Sequence, residues 1–297
     1  MRNALLLFAA GMAGQLICNV SFAHAGAGDR EFPATILTDD PAVKDEMSLP
    51  AVVYLRNKGS AGSGQNDETD TNFELDRRLT ENLGIAVSTG YTWLRQSDGT
   101  RLSGTQQINT TLKYQYVVNP EHEFVSSIGI TRIWGNSGSK AIADRYGSTE
   151  PTFYFGKGLG DLPVGVLRAL AITGTVGLNL PDRGATDKRT LDFGFAIEYS
   201  IPYLQDQVQD YGLPVWLSRL VPVIEITNSR PADGSSQPAT GTIAPGLIYS
   251  AKNWQLGAEI LLPGTSHTRT DKGVQLQLHF FLDRLSPGVF GKPVFGP

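Results

Sequence analysis

The chain has 297 residues, 18% of them charged, and a formal net charge of -4 at pH 7. That balance excludes a strongly basic nucleic-acid binder, and 13 Phe, 10 Tyr and 4 Trp exclude a disordered chain. With 33 Gly, well above the usual ~7%, what remains is a Gly-rich, weakly acidic chain with a β bias.

Residues 1–25 read as a cleavable signal peptide, with Arg2, a mostly apolar run from Ala4 to Val20, and the small-x-small site Ala23-His24-Ala25. Gly11, Gly14, Gln15 and Asn19 interrupt the run and leave it short for a membrane anchor. The single cysteine, Cys18, lies inside this segment, so a chain cleaved after Ala25 has no disulfide and no thiol chemistry. Residues 26–46 follow as a periplasmic N-terminal segment.

From 47 to 283 the chain alternates with period two. Leu191, Phe193, Phe195, Ile197 and Tyr199 alternate with Asp192, Gly194, Ala196, Glu198 and Ser200, and Val274, Leu276, Leu278 and Phe280 alternate with Gln275, Gln277 and His279. Each stretch therefore has one apolar face and one polar or small face. The pattern predicts twelve strands near 47–57, 72–78, 84–95, 106–119, 123–135, 150–158, 169–181, 189–200, 220–230, 243–251, 254–263 and 273–283. Tight joins such as 119–122 and 252–253 alternate with long polar ones at 58–71, 96–105, 136–149, 182–188, 231–242 and 264–272.

Short turns at one end and long loops at the other are the signature of an outer-membrane barrel. The predicted fold is thus all-β: a transmembrane antiparallel up-and-down β-barrel of about twelve strands, in the outer membrane of a Gram-negative bacterium. Its partners are outer-membrane lipid, the barrel-assembly machinery during insertion, and small solutes. Tyr116, Phe124, Tyr199, Tyr249, Trp254 and Phe280 fall at the periplasmic strand ends, and Phe73, Tyr91, Trp93 and Trp134 at the outer ends, as two interfacial girdles require. Two joins on the periplasmic side are longer. Residues 159–168 form a mid-length apolar turn, and 201–219 form either a packed turn or a short helix at the inner interface or pore mouth. Residues 284–297 form a tail folding back over the periplasmic rim.

Strand parity turns Glu74, Asp76, Lys113, Arg132, Asp192, Glu198, Glu225, Glu259 and His279 inward, beside small residues such as Ala171, Thr173, Gly194 and Ala196. An acid-leaning lumen with room to spare points to a narrow passive channel for small cationic or neutral polar solutes, aromatic ones included. The alternative is a closed structural or partner-binding barrel in which these groups pair across a filled interior. A lipid-modifying enzyme is a third option and needs a nucleophile with its base. Ser266 beside His267 is the single candidate pair, in a loop of ordinary polar composition, so no catalytic residues are assigned. Neither a metal nor a cofactor is expected, because the histidines do not share a strand face at ligand spacing. Gly156-Lys157-Gly158-Leu159-Gly160 lacks the spacing of a phosphate loop and reads as strand glycines and a turn.

Several segments resemble a proteobacterial family of uncharacterised outer-membrane barrel proteins labelled as transporters, loosely related to proteins of meta-pathway phenol degradation. They include Thr38-Asp39-Asp40-Pro41, Lys113-Tyr114-Gln115, Asn119-Pro120-Glu121-His122-Glu123-Phe124, Phe155-Gly156-Lys157-Gly158 and Gly160-Asp161-Leu162-Pro163. Gly194 to Ser200, Gln277 to Asp283 and Gly291-Lys292-Pro293 complete the set. The resemblance implies an outer-membrane barrel and carries no substrate.

Overall fold

A computed structural model describes residues 26–59, 64–183 and 188–296. The expected signal peptide lies outside the described residues. The barrel strands are β1 (Glu46–Asn57), β2 (Asn66–Arg78), β3 (Leu83–Arg95), β4 (Ile108–Asn119), β5 (Phe124–Trp134) and β6 (Ser148–Gly158). They continue with β7 (Leu170–Pro181), β8 (Thr190–Tyr199), β9 (Leu220–Pro231), β10 (Thr240–Ser250), β11 (Trp254–Pro263) and β12 (Thr270–Phe281). A short piece, Arg101–Thr105, precedes β4 and pairs with the same strand β3, so it is the outer extension of β4. Every strand is antiparallel to the next, and β12 closes on β1 through pairs such as Val274↔Tyr54 and Leu276↔Val52. Closure removes the two edges that an open sheet would expose.

The polarity of the wall follows from the period of two. On β8, Phe195 and Ile197 point outward while Ala196 and Glu198 are buried. On β12, Val274 and Leu276 point outward while Gln275, Gln277 and His279 are buried. An apolar exterior around a polar interior reverses the arrangement of a soluble sandwich and is what lipid selects. Aromatic pairs mark both rims: Tyr249 and Trp254, with ring centres 5.6 Å apart, near the short turns, and Tyr91 and Trp93, 4.6 Å apart, near the long loops.

Two segments differ from the pattern expected of the sequence, and a third takes the helical one of its two alternatives. β2 starts at Asn66 rather than near 72, because Asn66 to Thr71 is polar on both faces and carries no apolar alternation. Backbone pairing to β1 and β3 alone extends it beyond the apolar band. The same reason hides Arg101–Thr105, expected as a loop. Residues 201–219 hold short helical turns at Ile201–Tyr203, Leu204–Val208 and Val215–Ser218, with Leu204 buried and Trp216 exposed.

The largest difference is at the start. Residues 26–45, expected in the periplasm, enter the barrel and run inside it. Small inward residues make the room. A Cβ at Gly156 would stand 3.0 Å from Pro41 and 3.2 Å from Phe32, and one at Gly257 would stand 2.5 Å from Ile36. Glycine at these two wall positions is what lets a second backbone approach so closely. The chain's last residues dock on the same rim, with Val294 and Phe295 N–H donating to the carbonyls of Arg78 and Leu79.

The outward assignment makes a direct prediction. Phe195→Arg and Leu276→Arg should each cost ~2–4 kcal/mol of barrel stability in urea unfolding from liposomes. Ser236→Arg, in an exposed loop, should stay within ~0.5 kcal/mol of wild type.

Candidate functional site: the lumen and its N-terminal strap

A chain threaded through a barrel pairs with no strand, so inward side chains satisfy much of its buried backbone. Glu225, fully buried, does most of this. Its Oε1 accepts from Ile36 N–H at 2.6 Å, and its Oε2 accepts from Leu37 at 3.0 Å and Thr38 at 2.6 Å. Gln255 Oε1 accepts from Ala34 N–H at 2.9 Å, and Gln275 Nε2 donates to the Ile36 carbonyl at 3.3 Å. Further along, Gln115 accepts from Val43 N–H at 2.9 Å, and Ser127 Oγ donates to the Pro41 carbonyl.

Charge fixes the segment from Asp39 to Glu46. Lys113 Nζ donates to Asp39 at 3.0 Å and to the Asp40 carbonyl at 2.9 Å, and lies 4.7 Å from the Tyr154 ring centre. Lys44 lies 2.6 Å from Asp40 and 3.4 Å from Glu46. Glu46 meets His279 Nε2 at 3.0 Å, and His279 Nδ1 meets Ser48 Oγ at 2.9 Å. Buried charges of alternating sign satisfy one another along the strap, which is the arrangement a low-dielectric interior tolerates. The short-turn mouth is locked similarly. Arg30 donates to Glu123 at 3.1 Å and stacks 3.6 Å from the Tyr203 ring centre, while Tyr203 Oη donates to Glu123 at 2.6 Å. Asp45 receives Arg77 and Arg78, each at 2.5 Å.

The strap divides the lumen instead of filling it. A cavity of about 340 Å³ lies between the strap and the β1–β3–β12 side, lined by Asp39, Glu74, Asn72, Gln277 and His279. A second, of about 450 Å³, opens toward the long loops, lined by Glu150, Asp192, Asn228 and Arg269. Leu37 borders both.

The sequence-derived lumen residues therefore separate into distinct roles. Glu74 and Asp192 line the cavities. Lys113, Glu225 and His279 hold the strap or the strand it joins. Asp76 faces a small cleft with Lys113 and Ala42. Glu198 is buried and accepts from Thr173 Oγ1 at 3.3 Å, and Glu259 is buried on β11. Arg132 is a correction: it faces outward. Ile128, Ile130 and Trp134 share its parity and are exposed, whereas Val125 and Ser127 are buried. At the outer rim Arg132 grips Asp182 with both nitrogens, at 2.7 and 2.6 Å, and this hydrogen bonding holds the Asp182 carboxyl below its ordinary value.

Sequence reasoning missed the strap's own Arg30, Asp39, Asp40, Lys44 and Asp45, because a segment with no strand period gives no parity to read. It also missed Glu150, which shares the inward parity of Tyr154 and lines the outer cavity. The pair Ser266 and His267 stands 3.3 Å apart on an exposed loop. Among the described residues no group of His, Cys, Asp or Glu is arranged to hold a metal ion.

No protein-family model matches the chain, and no curated protein matches it in sequence. Solved structures do match in fold. The COG4313 outer membrane channel from Pseudomonas putida F1 aligns over 84% of this chain and 99% of its own, with 11% identity and a TM-score of 0.54. A KdgM porin in complex with disordered oligogalacturonate aligns over 77% and 98%, with 12% identity and a TM-score of 0.46. The translocator domain of the autotransporter NalP from Neisseria meningitidis aligns over 80% and 88%, with 10% identity and a TM-score of 0.45. The chain thus has the closed twelve-stranded antiparallel fold of outer-membrane barrels.

Removing the Glu225 carboxylate leaves three strap N–H groups without an acceptor, at roughly 1–3 kcal/mol each. In a refolded chain beginning at Gly26, a cysteine placed by Thr38→Cys, at a buried position of the strap, should react slowly with a maleimide. Adding Glu225→Ala should speed that labelling at least tenfold, and an unchanged rate would show that Glu225 does not hold the strap.

Proposed function

We propose that the chain is a passive outer-membrane channel for small cationic or neutral polar solutes, constricted by its own N-terminal strap. The observation that carries this is the pair of acid-lined cavities, about 340 and 450 Å³, that meet at the strap near Leu37. A barrel built only as a scaffold has no need to keep polar space on both sides of a removable segment. The strap is held by side-chain hydrogen bonds and ion pairs, not by pairing into the sheet, so its displacement leaves the barrel ladder intact.

Carboxylates at Asp39, Glu74, Glu150 and Asp192 give both cavities a negative lining, which draws cations and repels anions. The fold shared with the Pseudomonas putida channel supports the same reading. In this reading residues 1–25 direct export, the short turns face the periplasm, the long loops face outside, and the barrel-assembly machinery inserts the chain. The family of outer-membrane transporters that the sequence resembles is the proposed home of the chain. No residue set is assigned to catalysis. The closed-barrel reading has one observation of its own: the Arg30–Glu123–Tyr203 cluster, which locks the strap into the short-turn mouth.

Planar-bilayer recording of the refolded protein separates the two. The channel predicts small open events with a cation preference, weakened several-fold in relative permeability by Glu74→Gln with Asp192→Asn. Deleting residues 27–40 should raise the conductance several-fold. A silent bilayer from heat-modifiable, folded protein, with and without the strap, would overturn the channel and leave the closed barrel.

A further inference from the structure

One feature of the outer wall is unrelated to the lumen. Lys272, Arg56, Asp67, Arg95 and Arg101 stand side by side in a single cross-strand row from β12 to the extension of β4, through the pairs Lys272↔Arg56, Arg56↔Asp67, Asp67↔Arg95 and Arg95↔Arg101. Four cations thus meet one carboxylate, on a chain whose formal net charge is -4. Like charges directly opposite one another across a ladder are destabilising, and this row contains two such pairs, Lys272↔Arg56 and Arg95↔Arg101. The one acid is already engaged. Asp67 accepts from Arg56 Nε at 3.2 Å and from Tyr54 Oη at 3.0 Å. Among the described residues Arg95, Arg101 and Lys272 form no ion pair of their own.

The row has a defined level. All five residues share the outward parity of Trp93 and Val274, which lie two positions closer to the barrel's middle and are 49% and 48% exposed. The tilted Tyr91–Trp93 pair therefore lies just below the cations, at the upper edge of the apolar band. Aromatic rings followed by guanidinium groups is the order in which a wall passes from acyl chains to headgroups. The row is also concave: Arg56, Asp67 and Arg95, with Gln96, Ser97 and Gly99, line a recess of about 320 Å³.

We infer that this row is a binding site for a phosphorylated lipid headgroup of the outer leaflet. Guanidinium groups present paired N–H donors that match phosphate oxygens, and a phosphate between Arg95 and Arg101 relieves their mutual repulsion. Anchored acyl chains then lie on Trp93 and Val274 below. The inference rests on the proposed orientation, with long loops outside, but not on conduction through the lumen.

The test is lipid retention by the full refolded barrel, read by native mass spectrometry after detergent exchange. The probes are bis-phosphorylated lipid A, its fully dephosphorylated form, and inorganic phosphate. The row predicts that bis-phosphorylated lipid A stays bound, that the dephosphorylated form does not, and that R95Q/R101Q lowers retention at least fivefold while folding remains heat-modifiable. Lys157→Gln, which removes an outward cation at the opposite rim, should leave retention unchanged. Equal retention by R95Q/R101Q, or by the dephosphorylated lipid, would overturn the site. So would full competition by millimolar inorganic phosphate, which would make it a free-anion site. Bilayer conductance of R95Q/R101Q should match wild type, so a silent channel and an absent lipid site are distinguishable failures.

Discussion

A peptide backbone threaded through a barrel has no neighbouring strand to pair with, and that constraint organises this molecule. The extended strap from Phe32 to Asp45 offers a donor and an acceptor at almost every residue, and the wall answers with Glu225, Gln255, Gln275, Gln115 and Ser127. Each is an inward position, and beside all but Ser127 both outward neighbours are apolar. The same wall yields volume where the strap passes, with glycine at 156 and 257. Wall and strap are therefore one design: neither the buried carboxylate at 225 nor the missing side chains make sense alone.

Electrostatics follows from the same arrangement. Lys113 pairs with Asp39, Lys44 bridges Asp40 and Glu46, and Glu46 ends the buried line on the His279 imidazole. Breaking a buried pair costs far more than the pair contributes to stability, so such a line specifies position more than it adds stability. Glu74, Glu150 and Asp192 border the cavities without a strap partner, and Asp39 borders the first cavity while pairing with Lys113. The lumen thus carries acids that seat the strap and acids that face open space, and Asp39 does both.

The barrel was legible in the sequence because alternation on β8 and β12 states both the strand and its facing. Parity also placed Lys113, Glu198, Glu225, Glu259 and His279 inside. It misplaced Arg132, where a polar residue at the outer rim sits on the lipid-facing parity but above the apolar band, held by Asp182. It gave no warning of the strap, since residues 26–45 have no period. Yet the segments by which the chain resembles its proposed family were speaking of it. Thr38-Asp39-Asp40-Pro41 meets Glu225, Lys113, Lys44 and Ser127, and Glu123 meets Arg30. Gly156 and Gly158 leave space for Pro41 and the Arg30–Glu123 pair. Sequence proximity hid that these motifs are the two sides of one contact.

Hydrogen exchange on the refolded barrel tests that contact most directly. If the strap is seated, the amides of Ala34, Ile36, Leu37, Thr38 and Val43 exchange orders of magnitude more slowly than in a free peptide of the same sequence, and Glu225→Ala releases Ile36, Leu37 and Thr38. Exchange of these amides at free-peptide rates in an otherwise protected barrel would contradict the account.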